Sequence, residues 1–282
     1  MDKRIVFSDD GTLADKTAEL KDYYGSETVL PIVAAEDKLY FGSSFAFNSV
    51  YVKMNTPNVS ASVVSVEYWD GGEWQSAVEV IDETISSGAT FGQSGYITFV
   101  PNKSNRWALE DTVGSNNNET ITGLGDITIY DKYWMRLSFT NDLDVTTGLQ
   151  FVGHKFTGDD ELGTEYPDLV RSNYMAAFET GKTDWDEQSV TASNLVIQDL
   201  IRKQIINSGG QLLDRHKMTP AATSKLAEII FNAGGDKRKD DKDAARKEYS
   251  IRMNLSLYNR DENSDGRLDR KEIKSRQGRL VR

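Results

Sequence analysis

The run Asp261-x-Asn263-x-Asp265-Gly266-x-Leu268-Asp269-x-x-Glu272 has the residue types and spacing of an EF-hand cation loop. Calcium is a hard cation that takes about six to eight oxygen ligands. Asp261, Asn263 and Asp265 would set side-chain oxygens around one point, and Arg267 would add its backbone carbonyl. Asp269 would act directly or through water, and Glu272 would close the site with both carboxylate oxygens. Gly266 permits the turn, and Leu268 is the apolar position expected to pin the loop to a core. The loop has no second copy to pair with. Arg267, Arg270, Lys271 and Lys274 sit in or beside it and would lower its affinity for a cation. The competing reading is an Asx-rich turn whose side chains bond their own backbone. A calcium ion held here would have a structural role, not a sensory one.

Other constellations are less complete. Phe7-Ser8-Asp9-Asp10-Gly11-Thr12 is similar to the first motif of haloacid-dehalogenase-like phosphotransferases, but Ser8 stands where the aspartate nucleophile belongs. A serine there cannot form the aspartyl-phosphate, so the segment reads as an N-terminal turn. His154 and His216 have no neighbouring carboxylate and nucleophile in sequence. Neither GxGxxG nor GxxxxGK occurs. Tyr68, Trp69 and Trp74 flank an Asp70-Gly71-Gly72 turn and would form a glycan-stacking platform if exposed; packing of the hairpin is the plainer use of such rings. No arrangement of residues argues for an enzyme.

Composition narrows the classes further. The chain has 282 residues, no cysteine and two histidines, which excludes a disulfide framework, a thiolate zinc site and a cysteine nucleophile. No apolar run approaches the roughly 18 residues of a membrane span, and the N-terminus lacks the apolar stretch of a secretory signal. Net charge is −11, unevenly spread. Residues 236–282 hold 15 Lys and Arg against 10 Asp and Glu, while the rest hold 18 against 34. After Glu272 the tail carries Lys274, Arg276, Arg279 and Arg282 and no acid. A basic tail of this kind seeks an acidic protein surface or nucleic acid.

The elements that must position these residues fall into two kinds. Up to about residue 185 the chain reads as β. Turns at Gly42-Ser43-Ser44, Asn55–Asn58, Asp70–Gly72, Gly92–Gly95 and Pro101–Lys103 separate runs at Ser49–Met54, Val63–Trp69, Tyr96–Val100, Ile127–Tyr130 and Tyr133–Phe139. Val64, Val66 and Tyr68 alternate with polar neighbours, as on a strand with one buried face. Asp111–Thr120 reads as a loop tip, and Gly181–Gln188 as the linker. From about 189 the period becomes helical. One helix is capped by Thr191 or Ser193 and stopped by Gly209-Gly210. A second is opened by Thr219-Pro220 and closed by Gly234-Gly235. A third carries Ala245, Tyr249, Met253, Leu255 and Tyr258. The expected fold is α+β with the two kinds segregated. A jelly-roll-like antiparallel β-sandwich spans 1–185, and a small helical bundle spans 189–260. The acidic loop and basic tail span 261–282.

An ordered set of motifs carries a resemblance. Asp37-Lys38-Leu39-Tyr40-Phe41-Gly42 with Phe45 and Phe47 comes first, then Tyr68-Trp69-Asp70-Gly71-Gly72-Glu73-Trp74 and Ile81-Asp82-Glu83-Thr84. Ser94-Gly95-Tyr96-Ile97-Thr98-Phe99 and Tyr133-Trp134-Met135-Arg136-Leu137 complete it. Together they resemble a β-sandwich module of tailed-bacteriophage virion proteins, over about residues 30–140. Residues 189–282 look like a phage head-to-tail adaptor, a connector protein of the neck, on helix order, Thr219–Phe231 as central helix, and the acidic loop before Arg279-Leu280-Val281-Arg282. The large sandwich departs from simple adaptors.

The resemblance implies a structural protein of the virion, assembled in host cytoplasm, that docks on the portal protein and the next neck or tail ring. It implies self-association in a twelvefold ring, with Lys274, Arg276, Arg279 and Arg282 on the portal and packaged DNA nearby. A glycan- or host-surface-binding module of the baseplate or tail, using Tyr68, Trp69 and Trp74, is the alternative.

Overall fold

A computed structural model describes residues 3–109, 121–124, 132–255 and 259–268. The described residues divide into two compact units, one within 3–153 together with 261–268 and the other within 154–260. The expected boundary near 181–188 is therefore corrected. Residues 154–185 belong with the helices because they carry Leu162, Leu169, Met175 and Trp185, which pack in the helical core.

The first unit is a β-sandwich. One sheet has the order β2-β1-β4-β10-β6-β7, formed by Thr12–Asp15, Lys3–Asp9, Lys38–Ser43, Tyr133–Phe139, Val64–Trp69 and Trp74–Ser76. The other has the order β3-β11-β5-β9-β8, formed by Thr28–Val29, Gly148–Gly153, Ser49–Thr56, Gly95–Val100 and Val78–Asp82. Among the described residues every pairing between these strands is antiparallel. A short helix, α1 (Thr17–Lys21), buries Leu20.

Strand periodicity explains both faces of the first sheet. Val64, Val66 and Tyr68 point into the core between the sheets, with Leu39, Phe41, Met135 and Leu137. The alternate residues Val6, Tyr40, Trp69 and Trp134 make a second cluster on the outer face, with Ile121 and Leu124. The Asp10-Gly11 turn joins β1 to β2, with Asp9 opposite Thr12: the expected N-terminal turn is present, as the tip of a hairpin whose first strand buries Ile5, Val6 and Phe7. The expected strand Ile127–Tyr130 and loop tip Asp111–Thr120 lie outside the described residues.

The second unit is helical. Its elements are α2 (Asp159–Glu165), α3 (Ser172–Phe178), α4 (Asp186–Arg202), α5 (Thr219–Ala233) and α6 (Lys239–Leu255). Helix α5 starts at Thr219-Pro220 and stops at Gly234-Gly235, as the sequence predicts. Helix α4 does not follow its predicted caps. It begins seven residues before Ser193, behind Trp185. Ser193 lies inside it, donating to the Ser189 carbonyl at 2.8 Å and accepting from the Phe156 amide at 2.8 Å. The helix ends at Arg202, where Gln204 takes a positive φ of 56°. Gly209-Gly210 instead opens a short 3₁₀ turn.

The three long helices are held by two clusters. Val196, Leu200, Ala222, Tyr249 and Met253 make one, and Trp185, Leu226, Ile230 and Ala245 the other. Trp185, placed in the expected linker, is fully buried and donates its indole N–H to the Leu169 carbonyl at 2.9 Å. Among the described residues no helix is long and apolar enough to cross a membrane.

Candidate functional site

The acidic loop is built on the sandwich unit, late as it falls in the chain. Asp261 is buried. Its Oδ2 accepts from the Gly266 amide at 2.9 Å and its Oδ1 from the Asp265 amide at 3.3 Å. Asn263 Oδ1 accepts from the same Asp265 amide at 3.0 Å, and its Nδ2 donates to Asp265 Oδ2 at 3.0 Å. Asp265 Oδ1 accepts from the Arg267 amide at 2.8 Å. Asp261, Asn263 and Asp265 are thus brought together as the spacing predicts, wound around their own backbone as in an Asx turn. Three oxygen-bearing side chains on one turn suit a hard cation but fill only part of its shell. Among the described residues no group of three or more His, Asp or Glu side chains is assembled for a metal. Asp269 and Glu272, which would complete the set, lie outside the described residues, as do Lys274, Arg276, Arg279 and Arg282.

Two details alter the sequence reading of this loop. Leu268 is 40% exposed, so it does not anchor the loop. Gly266 does: at φ +70° it is buried against Trp107 and Pro101, and a Cβ there would stand 3.0 Å from Trp107 Cε3. Arg267 donates through Nη1 to the Pro101 carbonyl, so its guanidinium is turned onto the sandwich and not across the loop. Trp107 is the residue that sequence reasoning missed. Its signal was a lone tryptophan directly after the polar run 102–106, and in the structure it packs at a tilt against Phe47, Tyr68 and Phe99. A cleft of about 320 Å³ lies beside it, lined by Asn105, Arg106, Asn263, Asp265 and Arg267.

The aromatic platform is corrected. Tyr68 and Trp69 are buried on opposite faces of β6, as successive strand residues must be, so neither offers a ring face to a sugar. Tyr68 Oη accepts from the Asn102 amide at 2.9 Å and donates to the Asn105 carbonyl at 3.0 Å. Burial pushes its phenol above the usual tyrosine range. Trp74 is half-buried, edge-on to Trp69 and beneath the Arg136 guanidinium at 4.6 Å. Its indole N–H donates to the Thr122 carbonyl at 2.8 Å. Arg136 is fixed in turn by Glu67 at 2.6 Å.

The two histidines lie apart in burial: His154 is buried beside Phe156 and against Gly209, and His216 is exposed on a 3₁₀ turn. No family model matches the chain, and no curated protein or solved structure is detectably similar to it.

Proposed function

We propose that this chain is a structural protein of a tailed-phage virion, the head-to-tail adaptor of the neck. Its helical unit and basic tail bind the portal protein, and its sandwich contacts the next neck or tail ring. In this reading the chain closes into a ring with its own copies, twelvefold by resemblance, with the tail near packaged DNA. Calcium held by Asp261, Asn263, Asp265 and the Arg267 carbonyl, with Asp269 and Glu272, would stiffen the segment leading into the tail.

The observation that carries the reading is how the resembling motifs are used. They fall in chain order on β4, β6, β7, β8, β9 and β10 and supply much of the sandwich's own skeleton. Leu39, Phe41, Tyr68, Ile97, Phe99 and Leu137 form its inner core. The polar members close its loops. Asp37 accepts from the Asp10 and Val33 amides at 2.9 and 2.8 Å, and Asp82 accepts from the Thr84 amide at 2.8 Å. A motif set used this way marks a module and supports the resemblance as one of architecture; fold alone does not specify function, so the partner must be tested. The test is affinity purification of the tagged protein from its native source, with mass spectrometry of what accompanies it. A portal-type protein is expected, lost when the chain is cut after Ile273. Recovery of tail-tip or host-surface material without portal overturns the proposal.

A further inference from the structure

Positive charge is scarce in the middle of the chain and gathered at one place in the sandwich unit. Between Lys53 and Lys132 the sequence has two basic residues, Lys103 and Arg106. Both line the cleft of about 320 Å³ beside Trp107, and Arg267 joins them there from the acidic loop. Lys103 and Arg106 are exposed, and among the described residues neither has an ion-pair or hydrogen-bond partner. Cations set around one cleft repel each other, and a bound anion relieves that repulsion.

The walls of the cleft are fixed before any ligand arrives. On one wall Tyr68 Oη accepts from the Asn102 amide at 2.9 Å and donates to the Asn105 carbonyl at 3.0 Å. The Ser104 amide donates to Asn102 Oδ1 at 3.0 Å. On the other, Arg267 donates through Nη1 to the Pro101 carbonyl and through its amide to Asp265 Oδ1 at 2.8 Å. Gly266 seats this wall against Trp107. Both walls belong to the sandwich unit. A concave surface ordered by the fold, with cation N–H groups still to be satisfied, is pre-organised for a ligand.

Charge and donor set define that ligand. Lys103, Arg106 and Arg267 against the one carboxylate of Asp265 leave the lining with a positive excess of two. A phosphate monoester carries about −1.5 to −2 at pH 7 and offers three acceptor oxygens to arginine and lysine donors. A carboxylate brings half that charge and fewer oxygens. The volume of about 320 Å³ is at the small end of ligand pockets, with room beyond the phosphate itself. Asn105 lines that room, and its carboxamide, which has no partner among the described residues, both donates and accepts, as hydroxyl groups require. We propose that this cleft binds a small phosphate monoester of a hydroxylated compound, with the phosphate on Lys103, Arg106 and Arg267 and a hydroxyl on Asn105. The proposal stands apart from the assignment of a portal partner and needs no calcium in the adjoining loop.

Equilibrium dialysis of the full chain against radiolabelled glycerol 3-phosphate, in EDTA, tests it. Saturable binding is expected. Lys103→Gln and Arg106→Gln should each weaken it about tenfold, the worth of one hydrogen bond to a charged group. Lys203→Gln, at an exposed position in the helical unit, makes the same charge change and should leave the affinity unaltered. All three changes are at exposed positions, so all three variants should melt like the parent. Unlabelled inorganic phosphate should compete less well than unlabelled ester, and glycerate, which has a carboxylate in place of the phosphate, less well again. Absence of saturable binding at millimolar ester, an equal loss in Lys203→Gln, or competition by glycerate or inorganic phosphate as effective as by the ester overturns the proposal.

Discussion

Gly42 and Trp134 are cross-strand partners on β4 and β10, and the indole lies over the glycine so closely that a Cβ on Gly42 would stand 2.8 Å from Trp134 Cζ3. The glycine of the first resembling motif is therefore the seat of the tryptophan of the last. Gly42→Ala is expected to destabilise the sandwich by about 1–3 kcal/mol through overpacking. Trp134→Leu should relieve part of that cost, because residues in contact do not act additively. Urea titration of the two single variants and the double variant checks this; strictly additive losses would show that the contact does not constrain the sheet.

Gly266 and Trp107 repeat the arrangement at the acidic loop, with the positive φ as a second constraint. Gly266→Ala should release the loop from the sandwich at a cost of about 1–3 kcal/mol. Because Tyr68, Phe47 and Phe99 surround Trp107, its fluorescence should shift to the red. An unchanged spectrum would mean that the loop is held by something other than this contact.

Calcium binding is expected to need Asp261 and Glu272 together. Calorimetric titration of calcium into the wild-type chain should give heat, which Glu272→Ala or Asp261→Ala removes. A bound ion should also raise the melting temperature in a concentration-dependent way. No heat from the wild type ends the calcium reading and leaves an Asx-rich turn. Asp261→Ala should destabilise that turn in either case, since the Asp265 and Gly266 amides lose their acceptor.

What was legible in the sequence follows from the range of the forces involved. The alternation Val64-Val66-Tyr68 and the helix start at Thr219-Pro220 are set by neighbouring residues; both are found, although Thr219 is itself the first helical residue and Met218, not Thr219, is the cap. Helix α4 starts earlier than its expected caps for a longer-range reason. Trp185 is drawn into the core by Phe178, 4.9 Å away, and by Leu169, and this outweighs the caps expected further on. Helices α2 and α3 are seven residues each with one buried apolar side chain apiece, too little periodicity to register. Trp107 and Gly266 meet across 159 positions of sequence, and no local pattern announces such a contact.

Trp69 and Trp74 should separate packing from sugar binding. Trp69→Ala removes a buried ring and is expected to cost about 3–5 kcal/mol. Trp74→Ala removes a half-buried one, with its Arg136 stack and Thr122 bond, and should cost about 1–2 kcal/mol. Neither change should alter retention on a glycan array. Glycan binding by the wild type that Trp74→Ala abolishes, with folding intact, would restore the platform.

Asp159 supplies a pH dependence of a particular sign in the helical unit. Burial, with Asp184 and Asp186 adding to it, raises its carboxyl above the ordinary 3.8, although the Trp185 amide donates to its Oδ1 at 3.1 Å. The folded unit therefore takes up this proton more readily than the unfolded chain. Asp159 costs stability at neutral pH, and the cost is relieved as pH falls through the folded pKa, completely so below 3.8. Asp159→Asn keeps an acceptor for the Trp185 amide without the charge. It should be the more stable form at pH 7 and should lack the gain on mild acidification. Trp185 is the one tryptophan of this unit, so exchange of its indole proton, bonded to the Leu169 carbonyl, reports the unit alone. Corrected for intrinsic exchange, protection should rise toward acid in the wild type and run flat in Asp159→Asn. Parallel slopes would assign the dependence to another group.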